Sequence, residues 1–261
     1  MADAMHGDPW HALRRYTAAR IALGRAGASL PTAPMLEFQL AHAQARDAVH
    51  LPFDATAIAG ALERLGLAYL RVRSAAPARE SYLRRPDLGR RLDDASREAL
   101  RAAHGVFDAA LVIADGLSPL AAHRHAVPLL ALAREALAAR GWRVAPVVIA
   151  EQSRVALGDE IGEALGAGIV AVLIGERPGL SSPDSLGVYL TFEPRRGRAD
   201  AQRNCISNVR PEGLPIVRAA HTLVHLMLEA RTRGLTGVQL KDDSDAVPLL
   251  VRPDDGGLLD A

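Results

Sequence analysis

From residue 106 onward, short apolar runs alternate with longer stretches whose apolar positions recur every three or four residues. "FDAALVIADGLS", "WRVAPVVIAE", "IVAVLIGERPG" and "SLGVYLTFEP" each pack apolar residues between charged or turn-forming ones, which is the pattern of a strand. Between and after them, residues 119–141, 157–168 and 215–234 carry helical spacing. A bend is expected at Pro128, which has no N–H to give. Strands that alternate with helices predict an open, largely parallel sheet with helices on both faces.

Before residue 106 the pattern is mostly helical. Residues 9–23 are expected to form a helix with Asp8 as N-cap and Pro9 in its first position. Residues 34–50 form the next, with Leu36, Leu40 and Ala43 along one stripe. Residues 54–66, capped by Asp54, and 93–105 complete the set. "LAYLRVRS" alternates apolar and charged residues and suits a short strand. "SYLRRPDLGRRL" (81–92) reads as a loop of paired arginines, and the tail after Asp242 as frayed. Two regions are thus expected, 1–105 mostly helical and 106–261 built on the sheet.

Composition narrows the functional classes. The chain has 261 residues, 49% hydrophobic and 23% charged, an ordinary globular balance. A single cysteine excludes an internal disulfide and fits a reducing compartment. The opening residues hold no apolar signal core, and no apolar run is long enough to span a bilayer. A formal net charge of +1 gives no reason to expect a nucleic-acid partner. Lys241 is the one lysine, so the arginine pairs reflect a general exchange of Lys for Arg and are read mostly as solvated surface.

In an open parallel sheet, ligands bind outside the carboxyl ends of the strands. Three loops belong there, "DGLS" (115–118), "EQSRV" (151–155) and "GERPG" (175–179). The polar stretch "QRNCISNVRPEG" around Cys205 is read as a fourth. As a nucleophile Cys205 would need a nearby base, and none is placed by spacing, so a packed or ligand-lining thiol is favoured. His221, His225 and Glu229 recur every four residues, a spacing that can bind metal, but a solvated helix face is the better reading. His123 and His125, two apart, are given no role. Ser118-Pro119 reads equally as a helix cap and as an anion-receiving helix start. No G-x-G-x-x-G follows a strand, which disfavours a nicotinamide or flavin enzyme. Glu176 and Arg177 in "GERPG" read, on residues alone, as a surface turn with a local ion pair.

The runs "ARIALGRAGASLPT", "RRPDLGRRL", "IADGLS", "GERPGL", "NCISNVRPEG" and "GVQLKD", in this order, closely resemble the small subunit of ethanolamine ammonia-lyase, from about Asp8 to Asp242. The resemblance implies an α/β fold with a helical N-terminal region followed by a Rossmann-like, mostly parallel open sheet with helices on both faces. It implies a lyase that uses adenosylcobalamin to convert ethanolamine to acetaldehyde and ammonia by a radical route. It further implies a hetero-oligomer whose large subunit, a TIM barrel, binds ethanolamine and carries the catalytic residues. Val155, Glu176 and Cys205 match the family's cobalamin contacts; no catalytic residue and no cobalt ligand is expected on this chain. Arg84, Arg85, Arg90 and Arg91 are expected to include contacts to the large subunit. Some family members carry a longer polar N-terminal extension associated with bacterial microcompartments. This chain reaches its first helix by about Pro9, so the bacterial cytoplasm and an ethanolamine-utilisation microcompartment stand as equal expectations. Two alternatives remain, a non-enzymatic cobalamin-binding or assembly module, and a free-standing hydrolase using Cys205 or Ser118.

Overall fold

In the computed structural model, which describes residues 5–6, 8–17, 19–249 and 251, six strands form one sheet. They are Tyr69–Arg73 (β1), Phe107–Ala114 (β2), Val147–Glu151 (β3), Ala167–Gly175 (β4), Leu186–Phe192 (β5) and Asn204–Val209 (β6), in the order β1-β3-β2-β4-β5-β6. The first four in that order are parallel; β5 and β6 are added antiparallel at one edge. The fold is the expected α/β one, with a mixed, mostly parallel sheet. Its edge strand β1 comes from the N-terminal region.

Side chains alternate between the two faces of a strand, and both faces here are covered. On β2, Leu111 and Ile113 join one core, which also takes residues of Ala55–Arg64 (the helix α2), Val127–Ala138 (α5) and Ile216–Arg233 (α7). Ala110, Val112 and Ala114 face the other core, filled by residues of Asp94–Ala102 (α4) and Leu157–Leu165 (α6). Asp54 and Asp93 cap α2 and α4, accepting from the Ala57 and Ser96 amides. Before α5, a single turn Pro119–Ala121 widens into a π-turn at Ala122–Ala126. Pro128 cannot donate to the carbonyl of residue 124, and the wider turn takes up that loss.

The N-terminal helix pattern holds least well. Residues 9–23 yield only a short 3₁₀ turn, His11–Tyr16, although Asp8 does accept from the Trp10 amide. No residue of that turn is buried, so nothing packs an apolar face to sustain a helix. The helix Thr32–His50 (α1) forms, but the stripe that touches the body is Ala41, Ala45 and Ala48. Leu36 and Leu40 of the expected stripe face outward. Residues 81–92 are not a plain loop: Arg79–Arg84 is a short helix (α3), followed by a 3₁₀ turn at Leu88–Arg90.

Two further readings are corrected at the C-terminal side. Cys205 lies on strand β6, not in a loop at the rim, paired opposite Tyr189. Because β5 runs antiparallel, the stretch after it leaves at the amino end of the parallel strands, and only the Ser207–Asn208 end of β6 returns to the rim. The segment after Asp242 is anchored as far as it is described. His221 bonds the Ser244 carbonyl at 2.8 Å, Thr222 the Ser244 hydroxyl at 2.9 Å, and His225 the Asp243 carboxylate at 2.6 Å. So His221 and His225 are buried tail anchors and not a solvated face, while Glu229 pairs with Arg233.

Candidate functional site

Parallel pairing of β3, β2 and β4 carries loops 115–118, 151–155 and 175–179 to one rim. Beneath them lies a buried carboxylate. Asp115 accepts from the amides of Gly116 (2.9 Å), Gln152 (3.0 Å) and Ser153 (2.9 Å) and from Arg79 Nη1 (3.1 Å). Gln152 takes a left-handed backbone, φ 55°, ahead of the Ser153 amide. Burial pushes the Asp115 carboxyl up to about 6, against the opposing pull of the Ser153 amide and Arg79. Gly116 is required here: a Cβ would sit 2.2 Å from the Gly175 carbonyl.

Arg79 and Tyr82 extend this hub to Val155. Arg79 also donates to the carbonyls of Val49 and Gly116. The guanidiniums of Arg79 and Arg154 lie 4.9 and 4.2 Å from the Tyr82 ring centre. The Tyr82 hydroxyl donates to Ser153 O, and Arg154 donates to the carbonyls of Tyr82 and Gly89. These bonds fix the Ser153–Arg154 turn and so the place of Val155.

Glu176 is held within the chain. Its carboxylate accepts from Ser185 Oγ (2.5 Å), Ser207 Oγ (2.7 Å) and the Asn208 amide (3.1 Å). It therefore clips the end of β4 to the start of β5 and the end of β6, where Asn208 turns through φ 58°. It makes no ion pair with Arg177. The carboxylate fits because residue 187, at the irregular β5–β6 register, is glycine: a Cβ there would meet Glu176 Oε1 at 2.9 Å. A carboxylate has about four acceptor positions, so three bonds leave about one.

Val155, Glu176 and Cys205 come together around Tyr189. A cleft of about 860 Å³ is lined by Val155, Tyr189 and Cys205 with Arg90, Arg91 and Arg154. An adjoining hollow of about 430 Å³ shares Arg154, Val155 and Tyr189 and adds Glu176. The Cys205 thiol is exposed at this cleft. Partial desolvation pushes its pKa up, the Tyr189 phenol works against that, and the charge of Glu176 adds to the rise. A thiol so placed is not an activated nucleophile. Under the cleft, Arg203 bonds both oxygens of Asp159 (2.5 and 2.7 Å) and Thr191 Oγ1 (2.9 Å), all buried. This pair ties the start of β6 to α6, two residues from Cys205.

Ser118 is a helix cap: it is buried, its oxygen accepts from the Ala121 amide, and its hydroxyl donates to Pro183 O. Its hydroxyl bonds no base among the described residues. Arg84 and Arg85 make local pairs with Glu80 and Asp87. Arg90 and Arg91 line the cleft and make no side-chain ion pair among the described residues. His123 accepts from the Asp54 amide and stacks on Phe53. Among the described residues no group of three or more His, Cys, Asp or Glu gathers to hold a metal. Sequence reasoning missed Tyr189, Arg79, Tyr82, Asp159 and Arg203. Only Asp115, in "ADG" after a strand, gave a signal, and nothing in the spacing disclosed its partners.

Comparison with known proteins finds relatives over most of the chain. Residues 7–241 match the family described as ethanolamine ammonia-lyase light chain (EutC). The ethanolamine ammonia-lyase small subunit of Ralstonia nicotianae is 61% identical over 247 residues, covering 93% of this chain and 91% of that protein. Those of Azotobacter vinelandii and Pseudomonas aeruginosa are 61% and 57% identical over 246 and 253 residues, with 91% and 93% of their lengths covered.

Proposed function

The chain belongs to the ethanolamine ammonia-lyase light-chain family, and from that premise we propose that it forms one wall of an adenosylcobalamin site shared with a large subunit. As a small subunit of a lyase it has a larger partner chain. On this reading the partner is a TIM barrel that binds ethanolamine. The pair releases acetaldehyde and ammonia in the bacterial cytoplasm, either free or enclosed in a microcompartment.

The observation that carries the reading is the convergence of Val155, Glu176 and Cys205 on Tyr189, in a cleft and the hollow that adjoins it, although they lie on three separate elements. The donor set suits a corrin, whose edge bears amide groups around an apolar ring. Val155 offers apolar contact, the Glu176 carboxylate keeps about one acceptor position, and Cys205 is compact. Arg90 and Arg91 offer unpaired guanidiniums at the cleft for a partner carboxylate or an anionic part of the cofactor.

The cofactor, when bound, supplies a cobalt–carbon bond that can break homolytically. This chain's part is to bind and shield. Asp115 and Arg79 hold the turn before Val155, Glu176 holds the end of β6, and the Arg203–Asp159 pair holds its start. The wall is thereby fixed before the cofactor arrives, which lowers the ordering cost of binding.

Coexpression with the large subunit, and an assay of ammonia release with and without adenosylcobalamin, tests the proposal. Activity is expected only with both chains and the cofactor. Turnover by this chain alone would overturn it.

A further inference from the structure

Most of the exposed large apolar side chains of the described residues lie between residues 10 and 51: Trp10, Leu13, Tyr16, Leu30, Met35, Leu36, Phe38, Leu40 and Leu51. The amino half of α1 is the clearest case. Residues 35–40 are all exposed. At about 100° per residue, Leu36 and Leu40 share one side of the helix, while Met35 and Phe38 point to the other half. A helix that is apolar on several sides belongs inside something. Within α1 the buried side chains are Ala41, Ala45 and Ala48, and Pro31 just before it is buried as well, so it is the side chains of residues 35–40 that this chain leaves uncovered among the described residues.

We propose that the amino half of α1, with the Trp10–Tyr16 turn, is the docking element for the large subunit, which encloses the helix tip in an apolar groove edged with carboxylates. The inference rests on the reading of this chain as one of two kinds of subunit. Three observations choose this occupant. A light chain needs a surface for its heavy partner, and Trp, Tyr, Phe, Met and Arg are the residues enriched in such surfaces. The net positive charge of this surface weighs against the next candidate, a second copy. Between residues 8 and 40 stand Arg14, Arg15, Arg20 and Arg25 against Asp8 and Glu37. A two-fold self-contact would set the same arginine-rich patch against itself, whereas carboxylates on a different partner would complement it. Finally, the apolar residues occupy both halves of the helix surface, which fits an enclosing groove better than a flat contact.

The position of α1 connects this surface to the cofactor rim. Its last turn offers the Val49 carbonyl to Arg79, which also holds Asp115. A partner that grips α1 therefore grips the element braced against the turn that places Val155.

The test compares the wild-type chain, a Leu36→Glu/Phe38→Glu/Leu40→Glu variant and Val106→Glu, an exposed control at the far end of β2. Each is coexpressed with the large subunit and its association measured by sedimentation. Expected is at least a 100-fold weaker association for the triple variant, with the melting temperature of the isolated chain unchanged and Val106→Glu like wild type. Hydrogen exchange on the wild-type complex is the second measurement, with the amides of residues 35–40 protected in the complex and open in the free chain. Wild-type association by the triple variant, or no added protection, overturns the docking element and leaves the two-subunit reading intact. No association of the wild-type chain overturns both. A dimer of the isolated chain that the triple variant breaks makes a second copy the occupant and overturns the choice made here.

Discussion

Leu111 and Ile113 on β2 are fully buried, while Leu36 and Leu40 on α1 stand 58% and 61% exposed, although all four are large aliphatic side chains. The sheet is roofed on both faces by helices of its own chain. The arm keeps helical backbone over residues 32–40 without one buried side chain there. The difference separates two sources of order. In the sheet, apolar burial within the chain stabilises the strands, at about 25 cal/mol per Å² removed from water. In the arm the same chemistry is held open, and its stabilisation is available to association. Substitutions in the two regions should therefore move different measurements.

The largest effect on the isolated chain is expected at the joint between the regions. Each oxygen of Asp115 receives two donors, the Gly116 and Ser153 amides on one and Gln152 N and Arg79 on the other. Asp115→Ala leaves the Gly116, Gln152 and Ser153 amides without an acceptor and Arg79 without its charge partner. Breaking a buried pair in this way costs about 3–5 kcal/mol, read by urea unfolding. The pH dependence has a definite sign. The folded-state value of about 6 lies above the roughly 4 of a free aspartate. Protonation therefore favours the folded wild type, and this contribution is lost as pH rises through 6. The gap between wild type and variant should widen as pH falls from 7 and level off near 4.

Within the sheet, Leu111→Ala should cost about 2–5 kcal/mol, the range for emptying a fully buried leucine site. Chemical denaturation of the chain without its partner measures it. A cost under 1 kcal/mol would mean that the sheet is no better packed than the arm.

Glu176 lies between these extremes. Glu176→Ala leaves the Asn208 amide without its acceptor, while the two serine hydroxyls can rotate to other partners; a cost of about 1–3 kcal/mol is expected. Glu176→Gln should be nearly neutral for folding. Its carbonyl can take Asn208 and Ser185, both on Oε2, while its NH₂ donates to Ser207. In the two-subunit complex both variants should bind cobalamin more weakly, Ala more than Gln, by absorbance titration. Unchanged binding by both would make Glu176 a clip for β6 and no more.

The comparison also marks what was legible in the sequence. The sheet was, because strands buried on both faces are nearly continuous apolar runs, as in "ALVIA" of β2. Strand β6 was not: "NCISNV" buries only Ile206 and Val209, and an edge strand with an exposed face resembles a loop. For the candidate site, resemblance indicated Val155, Glu176 and Cys205 but not what supports them. Tyr189, Arg203–Asp159 and Arg79–Asp115 are contacts across long stretches of chain, 44 residues for Arg203–Asp159 and 36 for Arg79–Asp115, and no local pattern encodes them. The arm misled in an instructive way. Leu36, Leu40 and Ala43 do form a helical stripe, but periodicity says only that a face is apolar, not whose surface will cover it.

The smallest effect expected on the isolated chain is the one that tests this last point. Leu40→Ala shortens a side chain that is 61% exposed and replaces leucine by the best helix former, so its stability should stay within about 0.5 kcal/mol of wild type. In the complex the same change should matter more, because a leucine enclosed by a partner loses transfer energy of about 2 kcal/mol or more when truncated to alanine. That corresponds to roughly a 30-fold weaker association. Leu111→Ala should show the reverse pattern, a large loss of stability and little direct effect on association of the folded chain. If Leu40→Ala destabilises the isolated chain as much as it weakens the complex, α1 is packed against its own chain in solution, and the contrast between arm and sheet fails.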